Sequence, residues 1–219
     1  MKKYAIIVAG GSGTRMGTAV PKQFLMLGGK PILQHSVDAF LNSYSDLELI
    51  LVLPEINNEV SLNLNVNDSR IRITKGGATR FESVKNGLKL TEENSIIFVH
   101  DAVRCLVTGD LIHRCYEQAV EMGTAIPVVG SRDSIRWMGN EGSKSLDRSC
   151  VMLVQTPQVF RGEILLPAFK QKYQESFTDE ASVVEAFGFR IDLIKGEENN
   201  IKITTPVDLL IAENLLAKS

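Results

Sequence analysis

Between Gly10 and Gln23 the chain reads Gly-Gly-Ser-Gly-Thr-Arg-Met-Gly-Thr-Ala-Val-Pro-Lys-Gln, a run suited to meeting an anion. Gly10, Gly11, Gly13 and Gly17 have no Cβ and reach positive φ readily, so successive backbone N–H groups can turn inward on an oxyanion. No Asp or Glu occurs from Gly10 to Val37, while Arg15, Lys22 and Lys30 supply positive charge. Arg can fork two phosphate oxygens and Lys can act as a point charge on another, so a triphosphate is the economical partner. The competing reading is a glycine-rich turn with solvated cations. Two familiar glycine motifs do not fit. A dinucleotide fingerprint started at Gly11 needs glycine where Met16 stands, and it lacks an acidic residue about 20 positions downstream. A phosphate loop of the G-x-x-x-x-G-K-[ST] type fails as well, because Gly29-Lys30 is followed by Pro31 and Phe24 occupies the position of its first glycine.

Three further stretches carry chemistry. Gly76-Gly77-Ala78-Thr79-Arg80, with Ser83, is a second glycine turn that could read a base or a ribose, or serve as an ordinary strand-to-helix turn. His100-Asp101-Ala102-Val103-Arg104 follows an apolar run, and a carboxylate there can hold Mg²⁺ through water or orient a hydroxyl. His100, His35 and His113 read as structural. Lys202 between Ile201 and Ile203 points either to a shared anion or to an edge-strand lysine that guards against aggregation.

The elements that must position these residues follow from the hydrophobic pattern. Tyr4–Ala9 is a continuous apolar run with a glycine stop, expected to be a strand buried on both faces. Pro31 opens a helix carrying Ile32, Leu33, Val37, Phe40 and Leu41, and Leu47–Leu53, Arg70–Thr74 and Ser95–Val99 read as further strands. Phe81, Val84 and Leu88 recur at helical spacing; the segment from Glu55 to Asp68 fits either state. Right-handed crossovers on a parallel sheet would bring both glycine turns to one edge. Thr108 is the expected N-cap of a helix reaching Met122 and stopped by Gly123, with a strand over Thr124–Val129. From Gly130 to Cys150 polar and apolar residues interleave around Gly139-Asn140-Glu141-Gly142, as in a two-stranded arm that packs on a second subunit or forms a surface excursion. Val151–Val154 is expected to return to the core, and a helix follows Phe160 to about Gln174. Thr178 is the expected N-cap of the next helix, with the acids after it near the positive end of the helix dipole. A strand over Arg190–Ile194 and a last helix capped by Thr205 and opened by Pro206 complete the pattern.

At 219 residues, with 44% hydrophobic and 23% charged residues, the chain suits a single α/β domain. A formal charge of −2 argues against a broad nucleic-acid surface. No stretch reaches membrane-spanning length. The three cysteines, Cys105, Cys115 and Cys150, contain no C-x-x-C pair, which fits a reducing cytoplasm better than a disulfide framework or a thiolate zinc site.

Taken in order, Gly11-Ser12-Gly13-Thr14-Arg15-Met16-Gly17 with Pro21-Lys22-Gln23, Gly76-Gly77 with Arg80 and Ser83-Val84, His100-Asp101-Ala102-Val103-Arg104, Gln155-Thr156-Pro157-Gln158, Thr178-Asp179-Glu180-Ala181-Ser182 and Asn200-Ile201-Lys202-Ile203-Thr204 resemble the 2-C-methyl-D-erythritol 4-phosphate cytidylyltransferases of non-mevalonate isoprenoid biosynthesis. The resemblance covers nearly the whole chain. It implies a Rossmann-like nucleotidyltransferase fold, mostly parallel sheet flanked by helices, with residues 130–150 as a projecting arm that clasps a homodimer. It implies transfer of a cytidylyl group from CTP to a sugar-alcohol phosphate with Mg²⁺ present, its inner protein ligands unspecified. Carried over by position, Arg15, Lys22, Arg148 and Lys202 would be catalytic. Ala9, Gly10, Gly11, Gly13, Thr14, Gly77, Arg80 and Ser83 would hold the nucleotide, and Asp101, Arg104, Ser134, Thr156 and Thr178 the acceptor. Ser134 and Arg148 would reach the other subunit's site. The run Val8-Ala9-Gly10-Gly11 departs from the family's usual Ala-Ala-Gly, Cys105 replaces a proline, and Ser134 stands where Thr is common. The Ala-Gly-Gly form also occurs in the sister enzymes acting on D-ribitol 5-phosphate, which makes that acceptor the alternative. A dinucleotide-dependent oxidoreductase or a silent nucleotide-binding regulator are the readings of another class.

Overall fold

Tyr4, Ala5, Ile6 and Ile7 are each at most 1% exposed, because the strand they form is covered on both sides. The computed structural model describes residues 1–10, 20–54, 64–140 and 142–217. In it β1 (Lys2–Val8) lies between β4 (Leu47–Leu53) and β6 (Ser95–Asp101), parallel to both, and β5 (Ile71–Lys75) extends the sheet beyond β4. A short β2 (Met26–Leu27) and β3 (Lys30–Pro31) pair with each other between β1 and the first helix.

Successive residues along the parallel strands enter opposite cores, as the period of two requires. Ala5, Ile7, Leu49, Leu51 and Phe98 pack under α1 (Ile32–Ser43) and α3 (Gly109–Met122), meeting Leu33, Val37, Phe40, Leu111 and Cys115. Tyr4, Ile6, Ile50, Val52, Ile97 and Val99 face the other way onto α2 (Arg80–Leu88), α4 (Gly162–Ala168) and α5 (Glu180–Ala186), meeting Phe81, Val84, Leu165 and Val184. A strand read as wholly apolar is therefore the mark of two apolar layers.

Beyond β6 the sheet turns mixed. The strand β11 (Gln158–Arg161) runs antiparallel between β6 and β7 (Thr124–Gly130), and β10 (Met152–Val154) pairs antiparallel with the far end of β7. The two are separated by Gln155-Thr156-Pro157, where the Thr156–Pro157 peptide is cis. Pairing parallel to β7, β12 (Leu193–Lys195) starts later than the expected strand over Arg190–Ile194. Its entry is fixed by Thr124 Oγ1, which donates to Asp192 at 3.0 Å and accepts from the Asp192 N–H at 2.8 Å.

Two other expectations, and the edge-strand reading of Lys202, need correction. Met152, Leu153 and Val154 are 40–51% exposed and not core. The helix after Phe160 ends at Ala168, because Pro167 sits in its last turn and Gln171 Nε2 takes the carbonyls of Ala168 and Val183 at 2.9 Å each. Residues 201–203 form no strand; the Ile203 N–H instead donates to the Val103 carbonyl at 2.9 Å.

The caps of two helices agree with the sequence reading. Thr108 caps α3 and Gly123 closes it at φ 96°. The last helix, α6 (Pro206–Leu216), has Thr205 and Asp208 in a reciprocal capping box. The arm forms as β8 (Ile135–Gly139) and β9 (Gly142–Leu146), paired antiparallel. Trp137 lies opposite Lys144, whose Nζ stands 5.1 Å from the indole ring. No helix among the described residues is long and apolar enough to cross a membrane.

Candidate active site

The parallel strands β1, β4, β5 and β6 deliver Ala9–Gly10, Leu53, Gly76–Gly77 and Asp101 to one edge. There Ser83 Oγ accepts from the Gly77 N–H at 3.0 Å and donates to the Thr79 carbonyl at 2.9 Å. A Cβ on Gly10 or Gly76 would stand 3.3 Å from that oxygen, so glycine is what lets the two turns close on one serine. Thr79 caps α2 in a capping box with Glu82, which sets the angle at which Arg80 and Ser83 leave the helix. The Gln23 side chain, 1% exposed, donates to the Ala9 carbonyl at 2.6 Å and anchors the return of the first loop. Beside it Lys22, 9% exposed, donates from Nζ to the Ile203 carbonyl at 3.0 Å. Ala9, Gly10, Gly77, Ser83 and Lys22 therefore do converge. Gly11, Gly13, Thr14, Arg15 and Gly17 lie outside the described residues.

Next to the glycine turns is an ion cluster. Arg80 places Nε and Nη2 on Asp101 Oδ1 at 3.1 and 3.0 Å, and Nη1 and Nη2 on Glu180, the latter at 3.0 Å. Lys202 Nζ meets the other Asp101 oxygen at 2.7 Å. Two carboxylates thus face two cations in a partly dry setting, where mutual geometry decides whether burial is tolerable. Burial opposes the charge on Asp101, but Arg80 and Lys202 overcome it and hold the carboxyl well below its usual range. Burial pushes Glu180 up against the pull of Arg80. Lys202 guards no strand edge, since residues 201–203 form no strand, and its ammonium is engaged by Asp101.

The backbone of Asp101 is fixed from the opposite side. Its N–H donates to Thr156 Oγ1 at 3.0 Å, and Thr156 meets His100 Nδ1 at 3.1 Å. With His100 Nε2 at 3.2 Å from the Arg104 carbonyl, one tautomer satisfies every partner: Nδ1 accepts from Thr156 and Nε2–H donates to Arg104. His100 is fully buried, and burial lowers its pKa to about 3. It is a neutral structural histidine.

The remaining expected site residues are distributed more widely. Arg104 donates from Nη1 to the Asn200 carbonyl at 2.8 Å and from Nη2 to the Val154 carbonyl at 3.2 Å, so it ties the segment before Lys202 to β10. Thr178 is exposed, and the helix cap expected of it belongs to Asp179, which forms a capping box with Ser182. Aspartate caps as well as threonine does, and the hydroxyl three residues on selects the later start. Ser134 is exposed at the base of the arm; Arg148, also exposed, donates to the Arg132 carbonyl at 3.0 Å. Neither bonds to the Asp101 cluster within this chain.

Reading by residue type missed two members. Glu180 counted only as an acid near a helix start, although it is the cluster's most buried carboxylate at 1% exposure. Asn200 is fully buried and donates to the Thr156 carbonyl at 2.8 Å, so it links Lys202's segment to Asp101's backbone partner. The available signal was position: both sit inside short motifs whose neighbours carry charge. Among the described residues no group of three or more His, Cys, Asp or Glu side chains is placed to hold a metal ion.

Known proteins resemble this chain along nearly its whole length. Residues 4–218 match the family model described as "IspD: 2-C-methyl-D-erythritol 4-phosphate cytidylyltransferase". A Bacteroides thetaiotaomicron protein of that name is 46% identical over 219 residues, covering 99% of this chain and 100% of its own length. A Porphyromonas gingivalis protein of the same name is 42% identical over 98% of each chain. Among solved structures, the enzyme of that name from Thermus thermophilus superposes with a TM-score of 0.80 at 30% identity, over 99% of this chain and 100% of that one. The 4-diphosphocytidyl-2C-methyl-D-erythritol synthase of Anaerococcus prevotii does so at 0.84 and 26% identity, over 99% and 96%.

Proposed function

Because the chain belongs to the 2-C-methyl-D-erythritol 4-phosphate cytidylyltransferase family, we infer that this site joins CTP to 2-C-methyl-D-erythritol 4-phosphate, giving 4-diphosphocytidyl-2-C-methyl-D-erythritol and pyrophosphate. The observation that carries the reading is the convergence of Lys22 and the Asp101–Lys202 pair on the edge where the two glycine turns meet. An oxygen of the acceptor phosphate attacks the α-phosphorus of CTP, the bond from that phosphorus to the β-phosphate oxygen breaks, and pyrophosphate departs. The attacking phosphate is already ionised, so no general base is required, and neither a nucleophilic Ser nor Cys is needed. The difficulty lies in bringing two anions together, which fixed cations and backbone N–H groups overcome.

In this reading Lys22 and Arg15 take the charge that builds on the α-phosphate, and the glycine turns with Ser83 hold the nucleotide. Asp101 accepts from acceptor hydroxyls while Lys202 faces its phosphate. Arg80, with its N–H groups on two carboxylates, acts by fixing Asp101 and not by gripping CTP.

A magnesium ion fits this site when it is carried by the triphosphate. Both Asp101 oxygens and the Glu180 carboxylate are in ion pairs, so phosphate oxygens and water remain as the hard ligands Mg²⁺ prefers. Bound there, it would neutralise charge on the departing pyrophosphate. The arm and the neighbouring β10 support a homodimer: Trp137 and Met138 on the arm and Met152, Leu153 and Val154 on β10 are 40–74% exposed, and a lone hairpin is marginal in water. The three unpaired cysteines fit a cytoplasmic setting.

The test is pyrophosphate release with CTP and Mg²⁺, offering 2-C-methyl-D-erythritol 4-phosphate and D-ribitol 5-phosphate in parallel. Turnover with the first is expected. Turnover with the second alone would replace the acceptor and keep the mechanism; silence with both, in folded protein that binds CTP, would overturn the reading.

A further inference from the structure

Glu180 meets the second glycine turn through Arg80, and at 1% exposure it is more deeply buried than Asp101 or Lys22. A carboxylate so placed is costly unless it is paired, and Arg80 is its partner. Its position is rigid. Asp179 caps α5, Gln158 on β11 accepts from the Ala181 N–H at 2.8 Å, and the same Gln158 donates to Asp179 at 2.8 Å. The strand β11 pairs directly with β6, which ends in Asp101. Glu180 and Asp101 are thus mounted on one frame and share a single guanidinium from α2.

We infer that Glu180 is a positioning residue for the acceptor: it holds Arg80 between two carboxylates, so that Arg80 presents one Asp101 oxygen and leaves the other to Lys202 and the incoming sugar-alcohol phosphate. The distances divide the work in this way, with Arg80 on Oδ1 and Lys202 on Oδ2. Arg80 has the planar fork to grip a carboxylate with two parallel N–H groups. With Glu180 neutral, Asp101 would be its sole anionic partner. The guanidinium would then turn to take both Asp101 oxygens and displace Lys202 from Oδ2. The acceptor would lose its anchor, while Ser83, Gly77 and Lys22, which meet the nucleotide in this scheme, would keep their contacts.

The inference rests on the acceptor role proposed for Asp101, so wild-type turnover on both sugar-alcohol phosphates is measured first and the variants are compared on whichever is used. Failure of the acceptor assignment then appears in the wild type alone. The experiment is steady-state kinetics of Glu180→Gln and Glu180→Asp, with KM for each substrate taken separately and CTP binding followed by calorimetry. Glu180→Gln is expected to raise the acceptor KM about tenfold and leave the CTP KM within about twofold. Glu180→Asp, which restores the charge on a shorter stem, should bring the acceptor KM back to about threefold above wild type, short of full recovery. An equal rise in both KM values, an unchanged acceptor KM in Glu180→Gln, or no recovery in Glu180→Asp would overturn the role. If Glu180→Gln does not fold, Glu180→Asp decides alone: a rise of about threefold confined to the acceptor supports the inference, and unchanged or equally raised KM values overturn it.

Discussion

At the carboxyl edge of the sheet, Asp101 and Glu180 are 11% and 1% exposed and share Arg80; at the base of the arm, Arg132 and Glu198 pair at 78% and 68% exposure. Both are ion pairs, but the surroundings differ. Around Asp101 the neighbours are fixed by strand ends and a hydroxyl, so charges are held in place before any substrate arrives. On the arm, Trp137 covers Gly139, where any added Cβ would collide with the indole, and Lys144 lies over the same ring. The hairpin is organised within itself; Ile135 and Leu146 are half-buried, and Arg136, Met138 and Lys144 are exposed. The first region pairs its charges within one chain; the second leaves Ser134 and Arg148 exposed.

The contrast is sharpest in turnover. Lys22→Ala should lower kcat roughly 10²–10³-fold, about 2.7–4 kcal/mol, if the lysine stabilises charge developing in the transition state. Steady-state pyrophosphate release measures this, with circular dichroism to establish that the variant is folded. An unchanged kcat would remove Lys22 from the chemistry and leave the preorganised edge without its principal described cation.

Acid stability provides the second test. Native His100 has its pKa lowered to about 3 by burial, whereas an unfolded histidine titrates near 6.5. Between those values the unfolded chain binds a proton that the native state refuses, so stability falls as pH drops through 6.5 toward 3. From pH 7 to 5 the loss from this one group is about 2 kcal/mol. Asp101 acts in the same direction only at lower pH: its depressed native pKa contributes stability above the unfolded value near 3.9, lost as pH falls below it. His100→Gln, which can still bridge Thr156 and Arg104, should therefore show a flatter Tm profile between pH 7 and 5. An identical slope in the variant would mean the edge is not the source of acid sensitivity.

The same division explains what could be read from the chain. Tyr4–Ala9 and Leu47–Leu53 announced buried parallel strands because both faces of each are apolar. Thr108, Gly123, Thr205 and Pro206 marked helix ends through local backbone bonding that needs no tertiary partner. Arg80 and Glu180 were harder. Their pairing joins α2 to α5 across 100 residues, and nothing in either segment alone indicates that the carboxylate faces inward. Met152–Val154 misled in the opposite sense. Apolar composition says that a strand will be covered, but not whether the cover comes from its own chain.

On the arm the expected effects are smaller. Trp137→Ala removes both the lid on Gly139 and the ring under Lys144. If the arm clasps a second copy, sedimentation equilibrium should show the dimer dissociation constant rising about tenfold. Activity at high protein concentration would be retained, and a monomeric wild type would end the dimer proposal. The smallest effect belongs to Glu198→Gln. The Arg132–Glu198 pair is mostly in water, where Coulomb attraction is weak and the ordering of two long side chains offsets most of it. Its loss should move Tm by less than about 2 °C and leave the acceptor KM unchanged. Glu180→Gln also neutralises one glutamate bound to one arginine, yet it is expected to change that KM about tenfold. A Glu198→Gln variant that matched it would mean that net charge around the site, and not the fixed geometry of Asp101, governs acceptor binding.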